Sequence, residues 1–185
     1  SDVSYVTQVG VVDPAVAHVW NRQAKILHAP RIGDVSVYMD GNIGFARPMG
    51  QVASALDTIL PQSDIAICKD AARRCAYVEI EACVGRKKIT SEQAAIAHQA
   101  LTNAGLPKNY GLWECGIIVR RVKAKWLDRF HAEWFNMMLH SGVWRDQIWL
   151  PLVLYKLGKE IPIEKFCSMP MDVRNNPWFT FRSHE

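Results

Sequence analysis

The chain has 185 residues, 49% of them hydrophobic and 22% charged, with a formal net charge of +4. That balance supports one substantial core, makes a single domain over 1–185 the expectation, and excludes a disordered or fibrous chain. No apolar run approaches the roughly 18 residues that a bilayer span needs, and the start lacks the basic-then-apolar pattern of a secretory signal, so a soluble protein is expected.

Residues 3–12 are rich in β-branched side chains and read as a strand. Asp13-Pro14 then opens a helix, with Asp at the N-cap and Pro at the first helical position. Val16, Val19, Trp20, Ala24 and Leu27 recur at spacings of three and four, which predicts a helix over about 14–28 with that face inward and Arg22 and Lys25 on the polar side. Residues 35–42 alternate as a half-buried strand and end in Asp40, Gly41 and Asn42.

After Arg47-Pro48, Val52, Ala55, Leu56, Ile59 and Leu60 keep helical spacing to Pro61, and a second strand follows over 64–68. The order so far is β-α-β-α-β, which predicts an α/β sheet with helical crossovers. Residues 69–75 form a basic loop at that strand's exit, where open α/β sheets place ligands. Residues 77–84 read as a helix, though their alternation would also suit a strand. Thr90-Ser-Glu-Gln93 is a capping box opening an Ala-rich helix that stops at Gly105.

A turn-rich loop over 109–116 leads to a buried strand at 117–121. Trp126, Phe130, Trp134, Met137 and Met138 make the stripe of a core helix over 125–140, and another helix runs from about 145 to 157. The tail after Pro162 reads as irregular. Five cysteines, without a C-x-x-C pair, predict reduced and mostly buried thiols and a reducing, cytoplasmic compartment. The clusters Arg73-Arg74, Arg86-Lys87-Lys88 and Arg120-Arg121 read as solvated faces or as contacts for an anion.

Asp40-Gly-Asn42 has two readings. It is an ordinary turn after a strand, or a carboxylate and an amide converging on a divalent cation or a ribose, with Gly allowing close approach of the backbone. Asp146 likewise either serves the dipole at a helix start or belongs to a site with Arg145 and Gln147.

The order of these stretches resembles a glycosyltransferase-like family, long described as a domain of unknown function, with plant members tied to mucilage and pectin synthesis and with microbial and viral members. Arg22, Lys25 and His28 with residues 35–42 resemble its R-x-x-K-x-x-P-H and S-x-Y-x-D-G-N segments. Residues 69–79, with Arg73, Cys75, Tyr77 and Glu79, are similar to its K-H-P-x-R-x-C-x-Y-x-E block. Residues 111–121 resemble its G-L-x-E-x-G-x-I-x-R-R strand entry, and Glu133-Trp134 with 141–147 its E-W and S-x-R-D-Q ending. Asp70 and Ala71 stand where that family has His and Pro. Its members also carry a further strand and glycine-rich turn ahead of the part seen here, so a fragment, or a donor pocket built differently, is expected.

The resemblance implies a GT-A-like α/β/α sandwich with a mostly parallel central sheet, and transfer of a sugar from a nucleotide-sugar donor to a saccharide or other hydroxylated acceptor. It implies Arg22, Lys25, Asp40, Asn42, Lys69, Arg73 and Arg145 as donor-binding residues and Mn2+ or Mg2+ held by Asp40, Asn42 and His184. Asp146 and Gln147 would lie beside the donor sugar, as in retaining enzymes of the glycogenin type, with Glu114 as acceptor contact or general base. Two alternatives stand beside this one: a catalytically idle binding or assembly module of the same fold, and a phage-type protein that glycosylates modified bases, for which nucleic acid is a possible but not required partner.

Overall fold

The computed structural model describes residues 16–27, 34–59, 62–169 and 172–182. The expected first strand, the Asp13-Pro14 helix start, His28 and His184 lie outside them. The described elements are α1 (Ala17–Ile26), β1 (Val35–Met39), β2 (Ile43–Phe45), α2 (Met49–Ile59), β3 (Ile65–Lys69), α3 (Ala76–Gly85), α4 (Ser91–Asn103), β4 (Trp113–Arg121), α5 (Trp126–Ser141), α6 (Asp146–Leu157), β5 (Phe166–Met169) and β6 (Phe179–Phe181). A short 3-10 turn, Ile163–Lys165, precedes β5.

The main sheet has the order β1-β4-β3-β5, and β2 and β6 make a separate antiparallel pair. β4 runs antiparallel to both β1 and β3, and only the β3–β5 pairing is parallel. The chain is therefore α/β with a mixed sheet, which corrects the expected mostly parallel one. Because β4 runs antiparallel to both neighbours, its first residues meet the end of β3 and its middle, at Ile117, meets the end of β1. The tail is also more ordered than expected. β5 joins the sheet edge and β6 pairs with β2, because Phe166 and Phe179 carry enough apolar surface to be drawn onto the core.

The sheet separates two cores. One gathers Ile26 of α1, Ile80 and Cys83 of α3, Ala97 and Leu101 of α4, Phe130 and Trp134 of α5 and most of α6 against Ile65, Ile67 and Ile118. The other, smaller core sets Val52 and Leu56 of α2, Ile43 of β2 and Phe179 of β6 against Ala66, Cys68, Ile117 and Val119.

Local chemistry explains the helix limits. Thr90 Oγ1 accepts from Gln93 N at 3.1 Å while Gln93 Oε1 accepts from Thr90 N at 3.0 Å, so the capping box forms as the spacing requires. Gly142 closes α5 at φ 68, a left-handed conformation that lets its N–H reach Met138 O at 3.0 Å. All five thiols are free, and four of them are buried.

α1 is rotated relative to its sequence pattern. Trp20 is 50% exposed and Val16 41%, whereas Lys25 is 2% exposed and Ile26 fully buried. Of the stripe expected to face inward, Val16, Trp20 and Leu27 are exposed and Val19 and Ala24 half-buried. The cause is electrostatic: two carboxylates under the helix require the cations that a hydrophobicity pattern assigns to solvent.

Candidate active site

Three strands deliver carboxylates to one end of the sheet. Asp40 follows β1, and its N–H donates to Gly116 O at 2.9 Å. Asp70 follows β3, and its N–H donates to Leu112 O at 3.0 Å. Glu114 is the second residue of β4. A register shift between Ile67 and Cys68 moves the β3 partner from Ile118 to Glu114, which brings Glu114 to the sheet end. The start of α6 reaches the same place with Asp146 and Gln147, its first turn held where buried Trp134 Nε1 donates to Asp146 O at 2.9 Å.

Lys25 stands at the centre of the first cluster. Its ammonium lies 2.7 Å from Asp146 Oδ2 and 3.1 Å from Asp40 Oδ1, and Arg22 approaches Asp146 Oδ1 at 3.6 Å. Tyr38 donates its hydroxyl to Asp40 Oδ1 at 2.9 Å, and the Lys25 ammonium lies 5.1 Å from the centre of the same ring. Burial alone would raise the Asp146 carboxyl, but Lys25 and Arg22 outweigh it and hold Asp146 well below the usual carboxylate range. Burial likewise opposes the Lys25 charge, and Asp146 and Asp40 overcome it, so Lys25 titrates above an ordinary lysine. Cys115 lies within this field, and its burial pushes the thiol up, away from thiolate chemistry.

Arg120 supports that lysine from below. Its guanidinium is 2% exposed and donates to Lys25 O, satisfying a carbonyl in the last turn of α1. Burial lowers its pKa to about 10. Arg120 is thus buried rather than part of a solvated face, while Arg121 beside it is half-buried.

The second cluster is organised by Asp70, which is 4% exposed. Its Oδ1 accepts from Ala72 N and Arg73 N at 2.8 and 2.7 Å, which folds the loop after β3 into a tight turn. Its Oδ2 accepts from Gln147 Nε2 at 2.7 Å, tying that loop to α6. Arg73 lies between Asp70 at 3.4 Å and buried Glu79 at 2.6 Å. Asp70 is therefore a carboxylate that acts on the loop backbone.

Glu114 forms the third group. Arg174, from the segment after β5, donates to Glu114 Oε1. Burial raises the Glu114 carboxyl above its ordinary value, and Arg174 offsets only part of that rise.

The structure brings together Arg22, Lys25, Asp40, Asp146, Gln147, Arg73 and Glu114 at this sheet end. Arg145 precedes α6 and adds its charge to the field on Asp146. Lys69 is exposed at the last position of β3. Asn42 is turned away, its Nδ2 donating to Arg182 O at 3.1 Å. The expected cation ligands do not fit a metal as described: Asp40 Oδ1 is shared by an ammonium and a phenol, Asn42 points its amide at a backbone carbonyl, and His184 lies outside the described residues. Among the described residues no group of three or more His, Cys, Asp or Glu could hold a metal ion.

Sequence reasoning missed Tyr38, Asp70, Arg174 and the inward face of Lys25. The signal for Asp70 was present, since an Asp directly after a strand and three residues before Arg favours an Asx-type turn. None existed for Arg174, which reaches Glu114 only through the tertiary fold.

No known protein family matches the chain, and no curated protein matches it. Among solved structures it is similar to the apo form of the WbbM bifunctional glycosyltransferase, at 16% identity and a TM-score of 0.46, over 86% of this chain and 25% of that one. The chain thus spans 25% of the length of that structure, and a likeness of this size is too weak to bear on function. Among the described residues no helix is long and apolar enough to cross a membrane.

Proposed function

We propose that the chain is a GT-A-like glycosyltransferase, moving a sugar from a nucleotide-sugar donor to an acceptor hydroxyl. The observation that carries this reading is convergence. Side chains from the stretches around 22–28, 35–42, 69–79 and 141–147, chosen for their resemblance to one family, meet at one end of the sheet, and Glu114 of the 111–121 stretch stands at that same end. That end is where strands β1 and β3 finish, the usual ligand position in open α/β folds.

The charge distribution supports a direction for the donor. Lys25, Arg22 and Arg145 act on Asp146, Lys25 and Arg22 act on Asp40 as well, and the buried Arg22 Nε has no hydrogen-bond partner among the described residues. A diphosphate would supply the missing acceptors. At the other end, Glu114 has the raised pKa that suits a general base. The acceptor hydroxyl would give its proton to Glu114 as its oxygen bonds to the anomeric carbon. The bond from that carbon to the diphosphate would break, and the departing pair of electrons would leave with the nucleoside diphosphate, its charge met by Arg22 and Arg73. Asp146, enclosed by Lys25 and Arg22, serves in this reading to hold those cations rather than to touch the sugar.

Calorimetry with UDP, GDP and their glucose conjugates, each in Mn2+ and in EDTA, tests this. Saturable binding is expected, weakened at least tenfold in Arg22→Met. If no nucleoside diphosphate or sugar conjugate binds in either condition, the reading fails. A second reading, the catalytically idle module, is favoured by the mutual neutralisation of Lys25, Asp40 and Asp146. It predicts binding without release of nucleoside diphosphate in the presence of acceptors.

A further inference from the structure

The segment 172–182 returns to the sheet end and is tied by its own hydrogen bonds. Asn176 ties it at both sides: Nδ2 donates to Asp172 O and Val173 O at 2.9 and 3.0 Å, and Oδ1 accepts from Trp178 N and Phe179 N at 2.9 and 2.7 Å. Val173 is buried in the smaller core, and β6 is paired with β2. A loop held in this way carries Arg174 to Glu114.

Arg174 lies over the Phe181 ring at 5.1 Å and donates to Glu114, yet its side chain is 54% exposed, against 13% for Glu114. Phe181 is itself 36% exposed. One of five guanidinium N–H groups goes to Glu114, and a carboxylate keeps further lone pairs. An acceptor group and a donor group therefore stand side by side next to an aromatic ring. Two neighbouring hydroxyls match that couple, one donating to the carboxylate and the other accepting from the guanidinium. Asp70 and Asp172 add negative charge to the field around Arg174, so an anion gains little from this guanidinium.

We propose that Arg174, with Phe181, is the acceptor-binding and specificity-determining element of the site, and that it takes a neutral saccharide with vicinal hydroxyls. The proposal rests on the glycosyltransferase reading and adds to it residues from a segment that reading does not use. A role limited to pinning the tail onto the sheet would need no exposed guanidinium face and no exposed ring.

The test is saturation-transfer NMR on the full chain with methyl glucoside, galactoside, mannoside and xyloside, alongside calorimetry with UDP and GDP. The wild type is expected to bind at least one methyl glycoside. Arg174→Met should weaken that binding at least tenfold, with nucleoside diphosphate affinity within twofold of wild type and an unchanged melting temperature. Phe181→Leu should weaken it severalfold, and a methyl glycoside lacking one hydroxyl of the diol should bind the wild type at least tenfold less well. Absence of saturation by all four glycosides overturns the proposal, as does equal glycoside binding in Arg174→Met. A joint fall of melting temperature and both affinities also overturns it, since that marks a purely structural pair. Failure of UDP and GDP to bind counts against the glycosyltransferase reading instead, and the glycoside result in the same samples decides Arg174 separately.

Discussion

Replacing Lys25 by Met keeps most of the apolar stem and removes the ammonium between two carboxylates. Asp146, 3% exposed, then keeps Arg22 at 3.6 Å but loses its 2.7 Å partner. Breaking a buried pair from one side costs about 3–5 kcal/mol, because the remaining charge is left without compensation. Arg22 and Arg145 moderate this, so the low end, about 3 kcal/mol, is expected. With a urea m-value of about 2 kcal/mol per M, the midpoint should fall by about 1.5 M. Urea unfolding at pH 7 followed by tryptophan fluorescence measures this, and the pH dependence gives a second readout. Asp146 is held below its unfolded value, so its contribution is full above about pH 4 and is lost as pH falls through the folded value. Lys25→Met should therefore lose less stability than the wild type on acidification below about pH 4. A loss under about 1 kcal/mol at pH 7, or acid profiles that run parallel, would refute the view of Lys25 as the principal counter-ion.

Three further substitutions probe the same design. Asp40→Ala should cost about 1 kcal/mol or less in urea unfolding, because its side chain is 39% exposed and Lys25 retains Asp146; a loss as large as that of Lys25→Met would reverse the ranking of the two carboxylates. Asp70→Ala should cost about 2–3 kcal/mol and free the loop after β3, since it removes the acceptor for Ala72 N, Arg73 N and Gln147 Nε2. Faster amide exchange at Ala72 and Arg73 would report it directly. His131 is buried, its Nε2 has no hydrogen-bond partner among the described residues, and burial with nearby Arg120 holds it well below an ordinary histidine. Its neutral form stabilises the fold above about pH 6.5 and that contribution is lost as pH falls, up to about 2 kcal/mol by pH 5. His131→Phe should flatten the melting temperature between pH 7 and 5, and an unchanged slope would refute this assignment.

Much of the helical framework was legible from local chemistry. The capping box at Thr90, the aromatic stripe from Trp126 to Met138 and the stop at Gly142 act within a few residues of one another, and helices form from contacts of that range. Residues 77–84 read as a helix and form most of α3. β5 and β6 were not legible, since each is short and finds its partner far along the chain: Phe166 pairs with Ile65 and Phe179 with Phe45. The direction of β4 was equally beyond local reading, and it sets the mixed sheet.

The candidate site divides in the same way. Spacing placed Asp40 at a strand tip and Asp146 and Gln147 at a helix start, and the resemblance of the motifs marked Arg22, Lys25 and Glu114 beside them as candidate site residues. The tertiary structure alone decided their pairing. It turned Lys25 inward and left Trp20 exposed, because the free energy of burying a carboxylate depends on which cation reaches it, and no periodicity encodes that distance. It also brought Arg174 to Glu114 across the separation between β4 and the C-terminal segment, through a register shift and a loop tied by one asparagine. Local patterns fix which segments are helices, while the burial of charge, a property of the whole fold, fixes which residues make the site.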